Sequence, residues 1–119
     1  MKKTLILGAS TNPARYAYIA AHRLKGFGHP IVPIGLKKGE VAGETIETEK
    51  VEIDDIDTVT LYVGPRNQPE YYDYILSLKP RRVIFNPGTE NDELERMLRE
   101  EGIQPLHACT LVMLSMGQY

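Results

Sequence analysis

Short apolar runs alternate along the chain with longer stretches in which apolar positions recur every three or four residues, the pattern of strands feeding amphipathic helices. The first run, Thr4-Leu5-Ile6-Leu7, stops at Gly8 and gives way to a short polar turn. Asn12 and Pro13 then supply an N-cap and a first helical position, which predicts a helix to about Leu24. Ala17, Ala20, Ala21 and Leu24 share one face of it, small enough to lie close on a sheet, and Gly26 and Gly28 stop it. Residues 31–34 read as the second strand, followed by the basic loop Gly35-Leu36-Lys37-Lys38-Gly39. Residues 41–46 are interrupted by glycine and read as a loop with a poor edge strand. The run 59–63 is the next strand, closed by Gly64-Pro65-Arg66. Gln68-Pro69-Glu70 opens a helix bearing Tyr71, Tyr72, Tyr74, Ile75 and Leu78, which must end before Pro80. Residues 82–85 form a strand leading into Asn86-Pro87-Gly88. Thr89 begins a Thr-x-x-Asp capping pattern ahead of Leu94, Met97 and Leu98, with Gly102 as the stop. A weak strand at 103–106 and a short apolar helix at 110–116 complete the chain.

This alternation predicts an α/β fold: a three-layer, Rossmann-like sandwich around a mostly parallel sheet of order 3-2-1-4-5-6, the poor edge strand being the third. At 119 residues the chain is expected to form a single domain spanning 1–119, too short for a nucleotide domain plus a separate substrate domain. A formal charge of −2 with both signs interspersed builds no field suited to nucleic acid or a membrane surface. The one cysteine, Cys109, has no partner for an internal disulfide, and the three histidines lack the spacing of metal ligands. The start passes from Met-Lys-Lys straight into a strand, and no apolar run nears the ~20 residues of a membrane span. A cytoplasmic location is the expectation.

Open sheets of this kind take their ligands beyond the carboxyl ends of the strands, where the strand order reverses. The turns 8–13, 64–66 and 86–88 are predicted to meet there. A helix start offers amides without intrahelical partners and roughly half a positive charge, so the first turn reads as an anion cradle. The dinucleotide fingerprint would place glycines at 8, 10 and 13, whereas the chain has Gly8, Ser10 and Pro13. It also lacks an acidic residue after the second strand to hold a ribose diol; Gly35, Leu36, Lys37 and Lys38 stand there instead. That combination argues against NAD and for a ligand with an additional phosphate. Arg15 and Arg66 are further candidate phosphate contacts.

Gly8-Ala9-Ser10-x-Asn12-Pro13, the helix ending at Gly28, the strand to Pro33, Gly43-x-x-Ile46, Pro65-x-x-x-Pro69-Glu70, the Asn86-Pro87-Gly88 turn and Cys109 before the last helix occur here in one order. Together they resemble the small stand-alone CoA-binding proteins, which are similar in turn to the CoA-binding domain of the succinyl-CoA synthetase alpha subunit. The resemblance implies a domain that holds coenzyme A or acyl-CoA by its pyrophosphate and adenosine 3′-phosphate. It implies a phosphate loop of Gly8, Ala9, Ser10, Asn12 and Pro13, with Lys37 or Lys38 facing the phosphorylated adenosine. Pro65 and Arg66 would border the pantetheine path, with Asn86, Pro87 and Gly88 beyond. The chain departs from the family after Arg15, where Tyr16-Ala17-Tyr18 replaces a small or hydroxyl residue, and at Ile34-Gly35, where members often have Asn-Pro. His22, His29 and His107 match no phosphorylated histidine of the synthetase.

Three functions stay open at this point. The first is a module that binds a small nucleotide ligand, coenzyme A or acyl-CoA, with no reaction of its own. The second is an enzyme, either a nicotinamide-dependent oxidoreductase or a thiol or acyl transferase using Cys109, with His107 two residues away as a base. The third is a ligand-free interaction subunit, a homo-oligomer or part of a larger assembly, suggested by Tyr16, Tyr18 and the tyrosine-rich middle helix.

Overall fold

The computed structural model describes all 119 residues. The strand β1 (Thr4–Leu7) is buried at all four positions and lies inside the sheet, next to its edge strand. It pairs in parallel with β2 (Ile31–Ile34) on one side and β5 (Thr58–Leu61) on the other. β6 (Arg82–Phe85) and β7 (Gln104–His107) extend the sheet beyond β5, again in parallel. The central strands read as continuous apolar runs because helices cover both faces of the sheet.

The order of the five strands is β2-β1-β5-β6-β7, so the expected six-stranded order is corrected at one edge. The segment expected as a third strand of the sheet is a separate antiparallel hairpin, β3 (Gly39–Val41) and β4 (Glu44–Ile46). Ala42 and Gly43 both adopt positive φ, 52° and 80°, and turn the chain back on itself after three residues. The hairpin reaches the sheet through one parallel bridge between Ile34 and Glu47, where the Gly35 amide donates to the Glu47 carbonyl at 2.9 Å.

Helix α1 (Tyr16–Gly26) starts later than Asn12 and Pro13 suggested. The Asn12 side chain accepts from the Ala14 amide at 3.0 Å, and its carbonyl accepts from the Arg15 amide at 3.0 Å. A short polar side chain that bonds two residues ahead closes a local turn in preference to capping a helix. Arg15 is left as the N-cap, extended and without a side-chain capping bond. Pro65 and Pro69 open two 3-10 turns, Pro65–Asn67 and Pro69–Tyr71, so the following helix α2 is confined to Tyr72–Leu78. Helix α3 (Asp92–Glu100) is capped by Asn91, which accepts from the Leu94 amide at 3.1 Å. The expected cap, Thr89, instead donates its hydroxyl to the Asn86 carbonyl at 2.7 Å. The last helix, α4, spans Thr110–Ser115.

Strand periodicity divides the core between the two faces. Leu5, Leu7, Leu61 and Phe85 pack with Ile75 of α2 and with Leu94 and Leu98 of α3. Ile6 on the opposite face meets Ala17, Ala21 and Leu24 of α1, Val41 and Ile46 of the hairpin, and Leu114 of α4. No helix is long and apolar enough to cross a membrane.

Candidate functional site

All strands of the main sheet are parallel, so the turns after β1, β5 and β6 emerge on one rim, with the crevice between β1 and β5 at its centre. The first turn is held from both sides. Gly8 takes φ +101°, and a Cβ there would stand 2.9 Å from the Tyr62 carbonyl carbon, so only glycine fits. The Gly8 and Ala9 amides both donate to the Ile34 carbonyl at 2.8 Å, drawing the turn onto β2. Gly35 completes the seat, since a Cβ on it would overlap the Ala9 carbonyl oxygen.

Gly8 and Ala9 thus shape the turn, and other amides along it and at the start of α1 are left unpaired. The amides of Ser10, Thr11, Tyr16 and Ala17 donate to no acceptor in the protein. The Ser10 hydroxyl accepts from the Asn12 amide at 3.0 Å and stiffens the loop between them. Asn12, Pro13 and Arg15 are exposed above it. Two unpaired N–H groups in the loop after β1, Ser10 and Thr11, and two at the start of α1, Tyr16 and Ala17, are donors available to an anion with several oxygens. Lys37 and Lys38 are exposed between Gly35 and Gly39, both of which touch the first turn: a Cβ on Gly39 would stand 2.6 Å from Thr11 Cγ2.

The second turn presents Pro65 and Arg66, both exposed, and the third presents Pro87 and Gly88. Gly88, at φ +92°, donates its amide to Glu90 Oε1 at 2.9 Å. Asn86 lies beneath them, buried, with its side chain engaged on three sides. Its Nδ2 donates to Thr60 Oγ1 at 2.7 Å and to the Leu61 carbonyl at 2.8 Å, while its Oδ1 accepts from the Thr110 amide at 2.9 Å. What the third turn can offer a ligand is therefore the Pro87-Gly88 backbone.

A residue that sequence reading missed ties these turns together. Gln68 is fully buried and donates from Nε2 to the Val63 carbonyl at 2.9 Å and the Thr89 carbonyl at 2.7 Å. Its Oε1 accepts from Asn91 Nδ2, which also bonds the Tyr72 hydroxyl. The one sequence signal was a polar residue set between two proline turns, where burial is not the ordinary expectation.

Tyr62 extends under the first turn among the residues packed on Ile6 and Ala17. Its hydroxyl is buried and forms no hydrogen bond. Burial pushes the phenol up to about 12, opposed by the Thr60 and Thr110 hydroxyls, which bond one another at 2.8 Å. Tyr62 is accordingly neutral at ordinary pH.

His107 and Cys109 are not hydrogen-bonded to each other. His107 Nε2 pairs with Glu95 Oε2 at 2.8 Å, and its ring meets the Phe85 edge. Arg99 first, and His107 after it, hold the Glu95 carboxyl below the usual range. Cys109 is half-buried at the N-cap of α4.

Comparison with known proteins gives this rim a context. A family model described as a CoA binding domain matches residues 2–115. No curated protein matches the chain. Among solved structures, a crystal structure of a protein described as uncharacterized is 63% identical with a TM-score of 0.98, covering 100% of this chain and 98% of the other. A hypothetical protein from Pyrococcus horikoshii OT3 is 28% identical, TM-score 0.88, over 97% of this chain and 82% of that one. The dinucleotide forming acetyl-coenzyme A synthetase 1 of Ca. Korarchaeum cryptofilum, in complex with phosphate and ADP, shares the fold at 20% identity and TM-score 0.71. The match covers 89% of this chain and 25% of that enzyme.

Proposed function

Because this chain belongs to the CoA-binding domain family, we propose that it binds coenzyme A or acyl-CoA across the rim formed by the turns after β1, β5 and β6. The observation that carries this reading is the set of free Ser10, Thr11, Tyr16 and Ala17 amides at the carboxyl end of β1. They suit a pyrophosphate, which presents several oxygens to donors that need no side chain. Gly8, Ala9, Asn12 and Pro13 hold the turn in shape, and Arg15 stands exposed at the helix start to add charge.

Lys37 and Lys38 are the cations placed for the adenosine 3′-phosphate, on a loop whose two glycines rest against the first turn. The pantetheine arm then crosses the β5 end past Pro65 and Arg66 toward Pro87 and Gly88. Coenzyme A, when bound, supplies a thiol that carries acyl groups; the protein's part is to hold and orient it. Neutral Tyr62, Asn86 with its side chain engaged, and His107 paired to Glu95 form no nucleophile–base pair at the rim, so binding without a reaction is the reading favoured.

Calorimetric titration with coenzyme A and dephospho-CoA tests the assignment. Binding of both, with dephospho-CoA several-fold weaker, is expected. Equal affinities would remove Lys37 and Lys38 from the site, and absence of binding by either ligand would overturn the function.

A further inference from the structure

Lys2, Asp57, Arg81, Arg82 and Gln104 line a surface cleft of about 370 Å³ whose walls hold no hydrophobic residue. Each stands at the amino end of a strand: Lys2 ahead of β1, Asp57 ahead of β5, Arg81 and Arg82 where β6 begins, and Gln104 where β7 begins. Because the strands are parallel, this end of the sheet is opposite the rim, and four residues of strand keep the two about 13 Å apart. Main-chain bonds set these residues side by side. The Asp57 amide donates to the Lys3 carbonyl at 2.9 Å, the Arg81 amide to the Asp57 carbonyl at 2.8 Å, and the Gln104 amide to the Arg81 carbonyl at 3.1 Å.

The charge at this end is not compensated from within. Lys2, Arg81 and Arg82 pair with no side-chain carboxylate; the ion pairs of the chain are Lys25–Glu44, Arg99–Glu95 and His107–Glu95. Three cations thus face the cleft against one carboxylate, in a chain whose formal charge is −2. His29 senses the same field: after burial, Lys2, the Met1 amino group and Arg82 lower its pKa, and Asp57 opposes them. Arg82 is held in place. Its Nε donates to Thr58 Oγ1 at 2.8 Å, its guanidinium lies over the Tyr119 ring at 4.5 Å, and Nη2 reaches the Tyr119 main-chain oxygen at 3.4 Å. The Thr58 hydroxyl donates in turn to Asp57 Oδ1 at 2.7 Å, which leaves Oδ2 for another donor.

A fixed guanidinium beside two further cations suits the oxygens of a phosphate group. The rest of the ligand must be polar as well, since a base or an acyl chain is held by apolar walls and this cleft has none. Asp57 Oδ2 accepts, and the Gln104 carboxamide both donates and accepts, which is what hydroxyl groups require. We propose that this cleft is a second ligand site, for a small hydroxylated phosphate ester, separate from the coenzyme A rim and independent of it. The phosphate sits among Lys2, Arg81 and Arg82, and the hydroxyls meet Asp57 and Gln104.

The test follows the His29 ring protons and the backbone amides by NMR while inorganic phosphate or glycerol 3-phosphate is added at constant ionic strength. Both are expected to shift the His29 ring and the amides of Lys2, Arg81 and Gln104, with glycerol 3-phosphate saturating at a several-fold lower concentration. Lys2→Gln and Arg81→Gln leave the Arg82–Thr58–Asp57 bonds in place, and each is expected to weaken both ligands about two- to fivefold, the range of a partly exposed charge contact. Gln104→Ala is expected to bring glycerol 3-phosphate close to the affinity of phosphate. Shifts confined to the first turn, at Ser10 and Thr11, overturn the site, as do unchanged affinities in both charge variants. Equal affinities of the two ligands for the unaltered protein overturn the ester. Coenzyme A titrated into Arg81→Gln should bind as it does to the unaltered protein, and a failure of both to bind it bears on the rim alone.

Discussion

Asn86 Oδ1 accepts the Thr110 amide at 2.9 Å, fastening the start of the last helix to the turn that follows the fourth strand of the sheet. The same carboxamide reaches Thr60 and Leu61 with its nitrogen, so one buried side chain joins β5, β6 and α4. Thr110 and Thr60 close the network by bonding each other at 2.8 Å. Buried polar groups of this kind hold geometry because every unmade bond leaves a desolvated group behind.

Asn86→Ala is expected to lower stability by about 2–4 kcal/mol, since it strands the Thr110 amide and the Leu61 carbonyl without their partner. Urea unfolding followed by circular dichroism reads the loss directly. A change below about 1 kcal/mol would mean that the network contributes little to stability.

Gly8→Ala and Gly64→Ala separate conformational need from mere presence in a turn. Gly8 is at φ +101° with the Tyr62 backbone in the way, whereas Gly64 is at φ −63° with nothing within 4 Å of an added Cβ. Gly8→Ala should cost about 1–3 kcal/mol in strain and abolish detectable coenzyme A binding by displacing the first turn. Gly64→Ala should remain within about 0.5 kcal/mol of the unaltered protein. Thermal unfolding and calorimetry of the pair decide between these expectations.

Acid should weaken the fold through His29. Burial first, then the charges of Lys2 and Arg82, hold its pKa below the ordinary 6.5. The Lys2 amide also donates to its Nδ1 at 3.0 Å, a bond that requires that nitrogen to be unprotonated. The unfolded chain therefore takes up the proton more readily than the native state. The stabilising contribution is full above 6.5 and falls as the pH drops below it. Denaturant midpoints of the unaltered protein and His29→Asn, compared from pH 8 to 5, should differ in slope below pH 6.5. Parallel curves would exclude His29 as the group responsible.

Tyr119 is expected to anchor the end of the chain. Its ring lies 4.8 Å from that of His29 and beneath the Arg82 guanidinium at 4.5 Å. Its hydroxyl meets Thr4 Oγ1 at 2.6 Å; the Thr4 hydroxyl already donates to the Lys2 carbonyl, so Tyr119 is the donor. Tyr119→Phe should cost about 1 kcal/mol, and Tyr119→Ala about 2–3 kcal/mol. Equal midpoints for the two variants would assign the whole effect to the hydroxyl.

The parallel sheet and the positions of its turns could be read from the chain because periodicity and glycine placement are local. Ala17, Ala20, Ala21 and Leu24 are buried on α1 as their spacing required, and Arg82–Phe85 is a strand at both expected ends. Helix starts were read less well. Asn12 and Thr89 each have a side chain suited to capping, yet each bonds a nearer group, and nothing in the chain ranks a cap against a turn two or three residues away. The hairpin escaped for a similar reason: Ala42 adopts a left-handed conformation that alanine disfavours and that its packing context supports.

The sequence by itself determined the class of fold, the rim on which the turns meet and the family to which the chain belongs, because strand and helix periods and the need for glycine at position 8 are written in single residues and their spacing. Tertiary structure alone decided which amides are free. The Ile34 carbonyl takes those of Gly8 and Ala9 and leaves those of Ser10, Thr11, Tyr16 and Ala17, a division that depends on a strand more than twenty residues away. It alone also buried Gln68 and Asn86 and gathered Lys2, Arg81 and Arg82 around one cleft, since hydrogen-bond partners and empty space arise between segments that local pattern cannot bring together.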